Sequence, residues 1–314
     1  MTAAQQRPWL GYAMVLTAAT LFAVNGVVAK VILASGISSL RLTEVRITGA
    51  AIGLVTAIAL IRPRLLRVTW RELPFLAVFG ICGLAFVQWL YFLAIHRLEI
   101  GIALLIQYLA PLLVALWARF VVHRPVRRRI WLALGLALFG LSLVVQIWQG
   151  SGSGLDSLGV VAALGGAFAF AAYILLAERG VKTRDAVSLT AYGFVFGALF
   201  FAFVQPWWTF PTQYVSEHVS LLGNLASSHV PVWALMLWII VLGAIVPFAL
   251  FVGALHHVPA TRASIVAMFE PVVASAVAWA WLDEALDPVQ IVGGAIVLCG
   301  IALAQTARAD PVES

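Results

Sequence analysis

The sequence predicts an all-α, polytopic membrane fold of ten transmembrane helices in two inverted five-helix repeats. Three observations carry that prediction: scarce charge, recurring apolar windows of membrane-crossing length, and self-similarity between the two halves. Of 314 residues, 63% are hydrophobic and 10% charged. Soluble domains carry roughly 25% charged residues, so this chain lacks the polar surface that a water-facing domain needs. A helix crosses the hydrocarbon layer with about 20 apolar residues. Ten windows qualify: 10–31, 42–61, 74–95, 100–120, 130–149, 158–177, 187–206, 232–255, 260–281 and 288–306.

The first window follows MTAAQQRPWL, with one Arg and no small-residue cleavage site behind it, and reads as a retained helix and not a signal peptide. The separators after the second and fourth windows are rich in Arg (Arg62, Arg64, Arg67, Arg71; Arg119, Arg124, Arg127, Arg128, Arg129), and the one after the sixth carries Arg179, Lys182 and Arg184. With both termini cytoplasmic, fifteen of the Lys and Arg residues fall inside and four outside (Lys30, Arg41, Arg46, Arg97). Cytoplasmic loops carry the Lys/Arg excess, so this bias sets the orientation and accounts for the net charge of +6. Nucleic-acid binding needs a clustered basic face, which the short loops do not offer. Cys82 and Cys299 both lie in apolar windows, so no disulfide framework is implied. The 207–231 separator is long. Val215, Val219 and Leu222 stand at helical spacing there, predicting a short interfacial helix anchored by Trp207 and Trp208, with a gating lid as the alternative.

The repeat divides the chain at residues 1–150 and 151–314. A shift of 160 lays the fourth and fifth windows on the ninth and tenth: His96 on His256, Pro111 on Pro271, Gly140 on Gly300. A shift of 148 brings Phe22 onto Phe170, and a shift of 144 brings Gly49/Gly53 onto Gly193/Gly197. An odd number of spans per copy turns the second copy upside down. Carriers that alternate access use such repeats and bind substrate at the midplane between them.

Ionisable groups inside spans are functional candidates, because a charge at a helix centre costs about 2.5–3.5 kcal/mol on insertion scales. Glu270 stands ten residues into its span, about 15 Å deep at 1.5 Å per residue. Pro271 removes a backbone N–H beside it, freeing carbonyls near Val266 and Ala267. The pair suits a substrate ammonium or a proton; a protonated, purely structural Glu is the plainer reading. At the equivalent position stand Ala110 and Pro111, preceded by Gln107 and Tyr108. Both prolines read as hinges. Asn25 and Tyr173 coincide at the 148 shift, near the repeat axis, as substrate contacts or interhelical glue. Gln88, Trp89 and Tyr91 form a polar and aromatic cluster at mid-depth, with a lipid-facing Trp89 as the alternative. Glu44, Arg46 and Lys30 sit at the outer ends of the first two spans, as an outer gate or as side chains snorkelling to headgroups. The adjacent His256 and His257 read as ordinary loop residues, and no metal or cofactor site is predicted.

The stretches FAVNGVVAK, LRLTEVR and LLIQYLAPLLVALWARFV, with SIVAMFEPVVASAVAWAWLDEAL and GGAIVLCGIAL in the second copy, resemble the drug/metabolite transporter superfamily in its EamA branch of ten-helix carriers. The resemblance spans roughly residues 10–306. It implies secondary transport of small metabolites, commonly amino acids and relatives, often outward across the bacterial inner membrane. The long 207–231 loop departs from the family pattern. The runner-up is a carrier of cationic, drug-like compounds, and a channel or a non-transporting membrane protein comes after it. An enzyme is not expected: no span carries an interior Asp, and every His lies at a span edge or in a loop. The expected partners are a small-molecule substrate and the lipid bilayer, without nucleic acid, in a monomer, with a homodimer as the alternative.

Overall fold

The computed structural model describes residues 7–95, 97–98, 100–123, 125–146, 156–283 and 287–306. Ten helices among them are long and apolar enough to span a membrane. They are α1 (Pro8–Leu33), α2 (Ser39–Ile61), α3 (Leu73–Val78, Phe79–Ala85 and Phe86–Ile95), α4 (Ile100–Gln107 and Ala110–Phe120) and α5 (Arg128–Val145). The second half has α6 (Ser157–Gly180), α7 (Ala186–Val204), α8 (Val232–Ile240, Val241–Ile245 and Val246–Ala254), α9 (Ala260–Ala267 and Phe269–Leu282) and α10 (Pro288–Thr306). The all-α membrane architecture is the one the sequence predicts.

Capping side chains fix several starts. Ser38 accepts from the Arg41 N–H, Asp156 from that of Gly159, and Asp185 from those of Val187 and Ser188. Each satisfies a donor that the first helical turn leaves free. Short links fold the helices back and forth. Both ends of the described chain therefore lie on one face of the bundle, called here the terminal end, and residues 205–231 cover the opposite face, the cap end.

Four helices are irregular, and they correspond in pairs. α4 breaks at Tyr108–Leu109 and α9 at Met268, each just ahead of a proline. Proline supplies no N–H to the carbonyl four residues back, so Pro111 and Pro271 withdraw that donor from Gln107 and Ala267. The break falls where the sequence places it. α3 and α8 each contain a π-helical stretch, Phe79–Ala85 and Val241–Ile245, which no residue type announces.

The helix contacts also pair up when helix n of the first half is exchanged for helix n+5. α1 packs on α8 and α9 as α6 packs on α3 and α4; α2 meets α8 as α7 meets α3. Gly49 and Gly53 receive Ile240 and Ile245 of α8, and Gly193 receives Phe79 of α3. α5 and α10 form the most extensive helix pair.

The cap corrects one expectation. Residues 207–231 hold no amphipathic helix; they form 3-10 turns at Trp207–Thr209, Thr212–Ser216 and Gly223–Leu225 and an antiparallel hairpin, β1 (His218–Ser220) with β2 (His229–Pro231). Pro206, Pro211 and Pro231 punctuate the segment too often for a helix, and Val215, Val219 and Leu222 fall in or beside different elements. These side chains pack instead on a small core with Val31, Ile37 and Met236. Trp281 Nε1 of α9 donates to Leu221 O at 2.8 Å, and Asn224 Nδ2 donates to Ala280 O at 3.1 Å. The cap is thereby fastened to the end of α9.

Candidate functional site

A cavity of about 390 Å³ lies between the halves and extends to Leu33 and Leu282, the cap-end residues of α1 and α9. Six residues singled out as binding groups line it: Glu270, Gln107, Asn25, Tyr173, Tyr108 and Gln88. Trp89 does not. It packs against Phe86 and Phe200, ring centroids 6.0 Å away in each case, because it lies about 100° around the helix from Gln88. Pro111 and Pro271 are buried at the helix breaks, away from the lining.

Tyr108 and Glu270 come from α4 and α9, the two broken helices, and meet across the halves. Tyr108 Oη donates to Glu270 Oε2 at 2.8 Å. Each break places its side chain at a turn where the backbone is already interrupted. Arg46 of α2 lies close enough to Glu270 and Tyr91 to interact electrostatically with both, and its buried Nε has no hydrogen-bond partner.

This corrects the expectation for the outer ends of α1 and α2. Arg46 and Lys30 line the cavity, and Arg46 does not snorkel outward. Glu44 pairs with Arg41 instead, at 2.6 Å in the buried i,i+3 position. Arg41 goes on to donate to Pro206 O at 3.2 Å and to Thr209 Oγ1, clasping the cap. Sequence reasoning missed this role of Arg41, although i,i+3 spacing of opposite charges signals it.

The two halves supply unlike walls. α2, α3 and α4 contribute Arg46, Gln88, Tyr91, Gln107 and Tyr108; α6 and α8 contribute Phe170, Tyr173, Phe248 and Phe251. Rings on the second wall interlock, Tyr173–Phe248 at 5.8 Å and Tyr173–Phe251 at 6.1 Å, and Phe22 of α1 joins them, 5.0 Å from Phe248. Phe248 and Phe251 went unrecognised in the sequence because Phe is abundant in apolar spans. At the shift of 160 they occupy the positions of Gln88 and Tyr91, which is the signal that identifies them. Asn25 Oδ1, Tyr173 Oη and both amide atoms of Gln88 are buried without a partner.

At the terminal end the helices close together. Glu178 Oε1 accepts from the Ala260 N–H at 3.1 Å, Arg262 Nη1 donates to Tyr12 Oη at 3.5 Å, and His257 and Val258 pack against Gly11. Burial, and next the neighbouring His257, hold the His256 imidazole below its usual range. His96 lies outside the described residues. Among those described, no three His, Cys, Asp or Glu side chains stand together as metal ligands do.

The profile of the EamA-like transporter family matches residues 9–146 and again 157–306. The chain is similar to the threonine/homoserine exporter RhtA of Escherichia coli, with 27% identity over 278 residues, 88% of this chain and 84% of that protein. It is 30% identical to an uncharacterized transporter of Archaeoglobus fulgidus over 237 residues, 74% of this chain and 76% of the other. One crystal structure superposes with a TM-score of 0.76 at 18% identity, covering 94% of this chain and 96% of that one, a likeness of fold.

Proposed function

Because the chain belongs to the EamA-like transporter family, a family of small-metabolite carriers, we propose that it exports amino acids or closely related zwitterions across the plasma membrane by alternating access. The carrying observation is the Tyr108–Glu270 hydrogen bond across the halves with Arg46 beside it. A carboxylate held by a tyrosine hydroxyl offers a seat for an ammonium group. A guanidinium with a free buried N–H offers one for a carboxylate, bidentate geometry being its strength. The exporter name of the Escherichia coli relative supports the substrate class and the direction.

The inverted-repeat reading of residues 1–150 and 151–314 rests on the twofold match of the family profile and on helix contacts that exchange between halves. One chain surrounds the cavity, so a monomer suffices. The cycle opens the cavity at the cap end in the state described and at the terminal end in the other, with the proline breaks of α4 and α9 as hinges. Glu270 exchanges a proton for substrate, which couples export to the proton gradient. A carrier of cationic drugs fits less well, since Arg46 and Lys30 both line the cavity and repel a cation that has no carboxylate.

Reconstituted protein loaded with L-threonine or L-homoserine tests this reading. Wild type is expected to show saturable counterflow that depends on pH, and Glu270→Gln to show counterflow of raised KM, its ammonium seat being neutral, that no longer does. Unchanged pH dependence in Glu270→Gln sinks the proton role, and an ohmic current in place of saturable flux sinks the carrier.

A further inference from the structure

Asn25 and Tyr173 occupy equivalent positions, one on the first helix of each half, and each lies on the π-helical stretch of the opposite half. Asn25 of α1 lies on Gly243 of α8, where a methyl group would fall 2.5 Å from Asn25 Cγ and 2.6 Å from Nδ2. Tyr173 of α6 lies on Gly83 of α3, where a methyl group would fall 3.2 Å from its Cα and 3.3 Å from its Cβ. The partners correspond as strictly as the side chains do: 25 and 173 differ by 148, and 83 and 243 by 160, the shifts that relate these helices elsewhere. A π turn admits one extra residue and displaces the helix face locally, and such turns recur at functional sites. Here each displaced face carries a glycine, so a polar side chain lies directly on the helix backbone.

Both seated side chains line the cavity, and each holds an atom, Asn25 Oδ1 or Tyr173 Oη, that is buried without a partner. Packing does not require either polar group. Tyr173 stands in a nest of Phe79, Phe170, Phe248 and Phe251, with centroids 5.4 to 6.4 Å away, where a phenyl ring packs equally well. A buried polar atom left unpaired is costly, so a cavity that keeps two at matched positions keeps them for something that enters it.

We propose that Gly243 and Gly83 are positioning residues: their π turns form a matched pair of seats that hold Asn25 and Tyr173 in the substrate-contacting wall. The seats act on substrate only through the side chains they carry. Gly243, which admits no Cβ beside Asn25, has the larger effect; at Gly83 the contact is looser and a methyl group is absorbed by a small shift. This rests on the reading of the cavity as the substrate site.

A double-mutant cycle tests it, with L-threonine uptake into proteoliposomes as the first readout. Gly243→Ala is expected to raise KM about tenfold, equivalent to about 1.4 kcal/mol, with kcat within about twofold. In an Asn25→Ala background the same change is expected to leave KM where Asn25→Ala alone puts it, since the side chain it displaces is gone. Equal costs in both backgrounds overturn the proposal, as does a fall in kcat at unchanged KM. The second readout needs no substrate. In a Cys82→Ser/Cys299→Ser background, Asn25→Cys is expected to react with a small methanethiosulfonate at least about tenfold faster when Gly243→Ala is added, because the thiol is pushed off its seat into the cavity. Equal labelling rates refute the seat. If wild type does not transport L-threonine, the substrate assignment fails, and the labelling rates still decide the seat.

Discussion

Tyr108 is the residue through which the first half reaches the charge of the second. Its ring meets Phe170 edge-on at 6.5 Å, and its hydroxyl donates to Glu270. Tyr108→Phe keeps the ring and removes only the hydrogen bond. The hydroxyl holds the carboxylate in place for substrate, so the variant is expected to raise KM about tenfold, equivalent to about 1.4 kcal/mol. The lost hydrogen bond to a charged group, worth about 1.5–3 kcal/mol, is expected also to bring earlier thermal unfolding in detergent. An unchanged KM removes Tyr108 from the site. Glu270 was legible in the sequence because a carboxylate amid apolar residues is expensive enough to need a reason. Trp89 was misplaced because depth along a span does not fix the face it occupies. Arg46 was misjudged for a related reason: its neighbour Glu44 suggested a pair at the membrane edge, whereas Glu44 turns to Arg41 and leaves Arg46 to the cavity.

At the scale of elements, α5 and α10 approach as closely as backbones permit. A methyl group at Gly140 would fall 2.7 Å from Gly293 O and Val297 N, and one at Gly300 would fall 2.8 Å from Ala133 O. Without a hydrophobic drive between helices in lipid, small residues and tight packing hold such pairs together. Gly140→Leu is therefore expected to destabilise the bundle by about 3 kcal/mol, the upper range for overpacking, seen as earlier thermal unfolding. Gly135→Ala, where a methyl group meets nothing within 4 Å, is expected to change little, and equal losses in both variants refute the interface. The helices themselves were legible, since their length and composition answer to bilayer thickness. The proline breaks were legible too, because Pro111 and Pro271 have one local consequence. The π turns of α3 and α8 were not, because no residue type marks them and their glycines, Gly83 and Gly243, show their role only against Tyr173 and Asn25 of another helix, a tertiary fact. Nor was the hairpin of the cap: Val215, Val219 and Leu222 at helical spacing outweighed the prolines in the reading, while in the fold the prolines prevail.

Charge is sorted at the scale of the whole molecule. The Arg-rich link between α2 and α3 lies at the terminal end, where Arg184 of the α6–α7 link donates to Leu65 O, Arg67 O and Glu72 Oε2 at 3.1, 2.9 and 2.9 Å. The cap end holds Arg97, paired with Asp156 at 3.1 Å, and Arg41, buried against Glu44. The basic residues that the insertion machinery reads therefore concentrate on one face, and the cap end has little free positive charge to oppose them. Since a Lys/Arg excess stays cytoplasmic, we infer that the terminal end faces inward, and the proposed cycle then has the cavity of this state open outward. Single cysteines in a Cys82→Ser/Cys299→Ser background measure this. Ser227→Cys, exposed on the cap, is expected to react with a membrane-impermeant maleimide in intact cells, and Arg64→Cys, exposed at the terminal end, only after lysis. The reverse order would invert the molecule and with it the direction in which this open state presents its site: the same cavity would then load from the cytoplasm, and the state described would be the one that captures substrate instead of the one that releases it.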